Sequence, residues 1–109
     1  MSKPTDLLQG TLDLLILTIV ALEPMHGWAI TRRIRQMSNE VLQVGDSALY
    51  PALHKLEQQG YISSEWKESE NKRRAKYYSL TAEGRQALDK EAAQWERLSS
   101  AISLIVRAV

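Results

Sequence analysis

The C-terminal quarter of the chain carries the pattern that most constrains how the chain can fold. After Thr81, a good N-cap, and Glu83, an anion suited to a first helical turn, no proline occurs and mostly apolar side chains recur at intervals of four and three residues. The row comprises Leu88, Ala92, Trp95, Ser99, Ile102, Val106 and Val109, with Leu98 and Ile105 beside it. This spacing predicts a helix to about Arg107 with one apolar face. A helix that projects from a small domain cannot cover such a face, so we expect a second copy of the chain to cover it.

Three further helices are predicted before this one. The first extends from about Thr5 to Leu22, although Gly10 could delay its start to Thr11, and Pro24 ends it. The second covers about 28–38, after Gly27, with an inner stripe of Ile30, Ile34 and Met37. Residues 42–44 then read as a short strand or an extended link.

The third helix is predicted to begin at an N-cap supplied by Asp46 or Ser47 and to end at Gly60. Leu49, Leu53 and Leu56 form its buried face, and Pro51 bends or tightens its first turn. Two β-prone runs follow, at 61–67 and 76–80, on either side of a polar, charged loop at 68–75. This arrangement predicts a hairpin.

Composition excludes several classes of protein. With 44% hydrophobic and 25% charged residues over 109 positions, the chain reads as one soluble unit, and the run at 14–22 is too short to span a bilayer. It has no cysteine, so disulfides and thiolate metal sites are excluded, and His54 has only His26 as a possible histidine partner for a metal. No nucleophile–base pair, metal-ligand spacing or Gly-rich phosphate loop is present. We expect a cytoplasmic protein that is not an enzyme and has no cofactor or metal.

The order of these elements indicates a mainly α protein with a small β hairpin: a winged helix-turn-helix over residues 1–80 and a C-terminal dimerisation helix over 81–109. The formal net charge is only +1, but cations cluster at the hairpin tip in "NKRRAKYY". The outer face of the third helix carries side chains suited to phosphates and base edges. The predicted DNA-binding residues are Ser47, Tyr50, Pro51, His54, Lys55, Gln58, Lys72, Arg73, Arg74 and Lys76.

Three segments resemble the PadR family of bacterial transcriptional regulators: "LQGTLDLLILTIVALEPMHGWAI", "ALYPALHKLEQQGYI" and "KRRAKYYSLTAEGR". The single terminal helix is similar to the compact branch of that family. The resemblance implies a homodimeric repressor on a pseudo-palindromic DNA site, released by a small aromatic or drug-like ligand. It also implies a recognition helix at 47–59, a wing at 72–76 and a dimerising helix at 82–107.

Several residues keep two interpretations at this point. Trp95 is either a core or interface anchor or, as the resemblance implies, a ligand-stacking residue, while Trp28 and Trp66 are most simply packing residues. The arginines at 32, 33 and 35 either reach a phosphate or pair with nearby acids. His26 is expected to be a cap or turn residue. A winged helix can also serve as a protein-interaction module that docks an acidic protein instead of DNA.

Overall fold

The computed structural model describes residues 9–109, and the predicted helical positions 5–8 lie outside them. Four helices and three strands follow in the order α1 (Gln9–Leu22), β1 (Met25–His26), α2 (Gly27–Met37), α3 (Asp46–Gln58), β2 (Ile62–Glu68), β3 (Arg74–Leu80) and α4 (Ala82–Arg107). The described part of α1 already includes Gln9 and Gly10, so its start is not delayed to Thr11. Among the described residues, no helix is long and apolar enough to cross a membrane.

Helix α1 lies at the centre of the hydrophobic core because it is apolar on more than one side. Its residues Ile16 and Leu17 are almost fully buried. The inner faces of α2 and α3 belong to the same core, which includes Ile30, Leu49 and Leu53. The predicted buried face of α3 is therefore confirmed. Met37, predicted on the inner stripe of α2, is instead 59% exposed because α2 ends there.

The sheet has three antiparallel strands in the order β1-β3-β2, one strand more than the predicted hairpin. Strands β2 and β3 pair along their whole length, from Ile62 opposite Leu80 to Glu68 opposite Arg74. The additional strand, β1, has two residues that pair with Tyr77 and Tyr78. A strand this short has no periodicity to read, and its pairing partner is about 50 residues away in the chain.

The N-terminal end of α3 differs from the prediction, and its C-terminal end agrees with it. Gly45 is the N-cap, without a side-chain hydrogen bond, so neither Asp46 nor Ser47 fills that role; both lie in the first turn. Residues 41–45 form an extended link and not a strand. At the other end Gly60 has a φ of +81°, the left-handed conformation that glycine adopts without strain, and terminates the helix as predicted.

The start of α4 is fixed against the domain. The Thr81 hydroxyl caps the helix by accepting a hydrogen bond from the Gly84 backbone N–H at 3.0 Å, as predicted. A Cβ atom at position 84 would lie 1.9 Å from the carbonyl oxygen of Tyr61, so only glycine allows this approach of the helix to the chain before β2. Leu88, one turn further, is buried in the core.

Candidate nucleic-acid interface

The outer face of α3 is free of contacts with the core. While Leu49, Leu53 and Leu56 are buried, four polar or cyclic side chains on the opposite side are exposed: Ser47, Pro51, His54 and Gln58. Pro51 lacks the N–H that would bond to the Ser47 carbonyl in a regular helix. The face therefore presents a hydroxyl, an imidazole, an amide and a backbone carbonyl, which together can donate to and accept from DNA.

Tyr50 of α3 packs over a glycine of the neighbouring helix α2. A Cβ atom built on Gly27 would lie 2.8 Å from the Tyr50 hydroxyl oxygen and 3.0 Å from its ring. The tyrosine thus lies directly over the first residue of α2, yet remains 47% exposed. Gly27 provides the space in which the outer end of this side chain lies.

Lys55 is engaged inside the protein. Its Nζ atom lies 2.6 Å from the Asp13 Oδ2 atom of α1, and the Asp13 side chain is only 13% exposed. A carboxylate this buried requires a charged partner. The ion pair connects α3 to the central helix, a role that sequence reasoning missed because the two residues are 42 positions apart. Any DNA contact by Lys55 stays a prediction.

The wing is a closed turn that presents its cations to solvent. The Ser69 N–H donates to the Arg73 carbonyl at 2.7 Å, and the Lys72 N–H donates to the Ser69 carbonyl at 2.9 Å. Lys72 has a φ of +61°, a left-handed backbone conformation that residues other than glycine rarely adopt. The turn exposes Lys72, Arg73 and Arg74, as the sequence predicted for a hairpin tip.

A carboxylate joins α3 to both strands of the wing. Glu57 of α3 accepts a short hydrogen bond from the Ser64 hydroxyl of β2 and lies 3.3 Å from the Lys76 Nζ atom of β3. The Ser64 hydrogen bond, followed by the hydrogen bond and charge of Lys76, lowers the pKa of Glu57 below its usual 4.5, and partial burial opposes them. Lys76 therefore positions the wing and is only partly exposed.

Two of the three arginines of α2 pair with nearby acids, and a phosphate contact by the third, Arg32, stays a prediction. Arg33 pairs with Glu23 at 3.4 Å and Arg35 pairs with Glu40 at 3.1 Å, the acid-pairing alternative. Arg32 instead places its guanidinium 4.7 Å from the centre of the Trp28 ring. This leaves its charge at the surface near the wing.

The interpretation of Trp28 and Trp66 as packing residues is wrong. Both side chains are 58% exposed, one at the start of α2 and the other on β2. The prediction for His26 is confirmed, because its Nδ1 atom accepts a hydrogen bond from the Ala29 N–H and caps α2. Among residues 9–109, no group of three potential metal ligands comes together.

The far half of α4 leaves a row of apolar side chains uncovered. Trp95, Leu98 and Ile102 are each about half exposed, and Ile105 and Val106 more so, whereas Leu88 is already covered by its own chain. Leu88 is therefore corrected from an interface residue to a core residue, and Ala92 is the first exposed member of the row. Leu104, which the heptad pattern did not include, is 73% exposed on another side of the helix.

Three helices, a hairpin wing beside the third of them, and exposed polar and cationic groups on both define a winged helix-turn-helix protein. Residues 16–90 match the "Transcriptional regulator PadR-like family". The chain belongs to this family, whose members are transcriptional regulators and not enzymes.

Solved structures share the fold along nearly the whole chain. A Streptococcus mutans protein is 33% identical, with a TM-score of 0.83 and coverage of 98% of this chain and 94% of that one. A transcriptional regulator from Clostridium thermocellum is 30% identical, with a TM-score of 0.83 and coverage of 94% and 99%. A 37.1 kDa protein from a Streptomyces fradiae transposon is 35% identical over 90 residues, and this chain spans 24% of its length.

Proposed function

We propose that this DNA-binding regulator is a homodimeric repressor that occupies a pseudo-palindromic site through α3 and the wing. The observation that carries the proposal is the joint exposure, on one surface, of the α3 side chains and of the wing cations, which Glu57 holds together through Ser64 and Lys76. Repression is steric, through occupancy of a promoter. As a DNA-bound regulator of a bacterial type, it acts in the cytoplasm.

In the proposed complex, α3 enters the major groove and the wing contacts the flanking backbone. Ser47, Tyr50, His54 and Gln58 contact phosphates and base edges, with Pro51 and Lys55 at the margin. Lys72, Arg73 and Arg74 neutralise phosphates, with Lys76 at the base of the wing. Two copies of α3 lie about 34 Å apart, one helical turn of DNA.

The proposed dimer is joined by the exposed apolar row of α4. Residues 81–109 then act as a dimerisation helix appended to the DNA-binding residues 1–80, with Ala92, Trp95, Leu98, Ile102, Ile105 and Val106 at the interface. A small aromatic or drug-like ligand that stacks on Trp95 between the two helices would bind the DNA-fitting and non-fitting states unequally and so release the operator.

The test is fluorescence anisotropy with the DNA upstream of the protein's own gene and with a scrambled duplex, over a salt series. We expect tight binding to the first duplex and weaker, non-specific binding to the second, both weakening with salt. Arg73→Ala with Arg74→Ala should weaken binding to both duplexes and flatten the salt dependence by about four phosphate contacts, two from each wing of the dimer.

The matched control removes two exposed cations of α4, Lys90→Ala with Arg97→Ala, which changes net charge equally away from the wing. This control should keep the parent salt slope. If both double variants lose affinity alike, the wing has no particular part in binding. If the parent protein binds neither duplex at low salt, the proposal fails and an acidic protein becomes the partner to seek.

A further inference from the structure

A groove between α2, α3 and the wing is lined by aromatic side chains. It has a volume of about 400 Å³, and its walls include Trp28 from α2, Tyr50 from α3, and Trp66 and Lys76 from the wing. Trp66 and Lys76 are directly opposite each other on β2 and β3. Three exposed aromatic rings in one open groove are unusual, because solvent exposure of large apolar surface is unfavourable and concentrated patches mark binding sites.

Neighbouring groups hold the Trp28 ring at the surface. The Arg32 guanidinium lies 4.7 Å from its centre, and the His26 ring stacks against it at 6.1 Å with an interplanar angle of 18°. His26 in turn makes an edge contact with Tyr77 of β3 at 5.3 Å. Trp28 is therefore prearranged in an exposed position, which reduces the entropy lost on binding.

The groove continues into a cationic cleft at the wing tip. His26, Trp28 and Ala75 line both, and the cleft adds Arg32, Arg73 and Arg74, whose three positive charges outnumber the one carboxylate there, Glu70. A ligand that follows this path meets aromatic surface first and then three guanidinium groups. This combination suits a polyanion with apolar segments between its charges, such as a sugar–phosphate chain.

We propose that one sugar–phosphate strand of duplex DNA runs through this groove, with Trp28 and Trp66 as backbone-contacting residues. The inference rests on the proposed function. If α3 occupies a major groove and the wing lies on the flanking backbone, the surface between them faces the strand that separates the two positions. Trp28, Tyr50 and Trp66 line that surface.

The indole group has the chemistry for such a contact. Its N–H donates a hydrogen bond to a phosphate oxygen, and its ring packs against the apolar face of a deoxyribose. Contacts to the backbone carry no base information, so they strengthen binding to every sequence. An uncharged side chain also releases no counterions, so its loss leaves the salt slope unchanged.

The first experiment compares Trp28→Ala and Trp66→Ala by anisotropy on operator and scrambled duplexes. Each substitution should lower affinity for both duplexes by about 10- to 100-fold, the value of one hydrogen bond in each protomer of the dimer, at an unchanged salt slope. Met37→Ala is the control, because Met37 is on the same helix as Trp28 and equally exposed but outside the groove. It should bind as the parent does.

The second experiment uses variants that retain one tryptophan, with phenylalanine at the other two positions. Saturating DNA should protect Trp28 and Trp66 from acrylamide quenching and leave the quenching of Trp95, which lies on α4 at the proposed dimer interface and away from the groove, unchanged. Unprotected Trp28 and Trp66 in a protein that still binds operator would overturn the groove assignment and leave the proposed function intact. A protein that binds no DNA would overturn the proposed function itself.

Discussion

Tyr50 can contact Gly27 because glycine has no Cβ atom. The nearest atoms to a Cβ at position 27 are the hydroxyl and ring of Tyr50, the outer end of a side chain that can rotate into solvent. A methyl group there moves Tyr50 without disturbing the backbone. The effect of a substitution should therefore appear in DNA binding and hardly in stability.

Gly27→Ala should lower operator affinity by about 10- to 100-fold, as expected for displacing one phosphate or base contact in each protomer of the proposed dimer. The melting temperature should change by only a few degrees. The measurement is anisotropy together with thermal unfolding, and Gly10→Ala in α1 is the control because a Cβ there meets nothing within 4 Å. In a Tyr50→Ala background, Gly27→Ala should have almost no further effect on binding. A full additional loss in that background would show that Gly27 acts through another group.

Among the elements, α3 and the wing are coupled through Glu57. Because the pKa of Glu57 is lower in the folded than in the unfolded protein, its stabilising effect is complete above the unfolded pKa and is lost as pH falls through the folded value. The carboxylate is partly exposed, so we expect a contribution of about 1 kcal/mol.

Glu57→Gln should therefore reduce the free energy of unfolding by about 1 kcal/mol at pH 7, and the difference from the parent should shrink as pH falls below the usual pKa of 4.5 and disappear once pH lies below the lowered pKa of the folded protein. Urea denaturation at a series of pH values measures this. Glu68→Gln, at an exposed position of β2, serves as the control and should show little difference at any pH. A Glu57→Gln effect that persists unchanged at low pH would mean that the carboxylate charge has no part in joining helix and wing.

The helices and the hairpin could be predicted because their patterns are local. Apolar periodicity predicted that Leu49, Leu53 and Leu56 are buried in the core, and the N-cap residue Thr81 predicted the start of α4. The rest depends on contacts between distant segments. The pairing of β1 with β3 could not be predicted from the sequence, because a strand of two residues is defined only by the hydrogen bonds to its partner strand.

The features of the candidate interface that depend on contacts between distant segments also could not be predicted from the sequence. The exposed face of α3 and the wing cations follow from the sequence, whereas the engagement of Lys55 with Asp13 and the exposure of Trp28 do not. Large aromatic residues are expected to be buried, and a lysine on an outer helix face is expected to be free. Tertiary structure decides both cases.

The whole molecule is elongated, with extents of 53 × 36 × 21 Å. Its radius of gyration is 15.2 Å, above the value of about 13 Å for a compact chain of this length. The difference comes from α4, whose 26 residues span about 39 Å and leave the core after Leu88. An apolar row on a projecting helix is what a partner copy would cover.

Ile102→Glu with Val106→Glu should convert the protein to monomers of 12.4 kDa, because four charges across a two-fold seam cannot be buried together. Sedimentation equilibrium measures the mass. Gln94→Glu with Ala101→Glu adds the same charge off the row and should leave the assembly unchanged. A charged-seam variant that keeps the parent's dimer mass would rule out this interface.

The glycine at position 84 has a mechanical consequence. Its backbone touches the carbonyl of Tyr61, with no side chain between the two segments to yield. The junction of α4 with the sheet is therefore stiff, and α4 behaves as a lever clamped at its base. In a dimer held at the far ends of these levers, a tilt of about 10° would carry each DNA-binding unit through an arc of about 7 Å over a 39 Å arm. A tilt of about this size at the seam is thus enough to move two recognition helices away from the spacing of successive turns of the double helix.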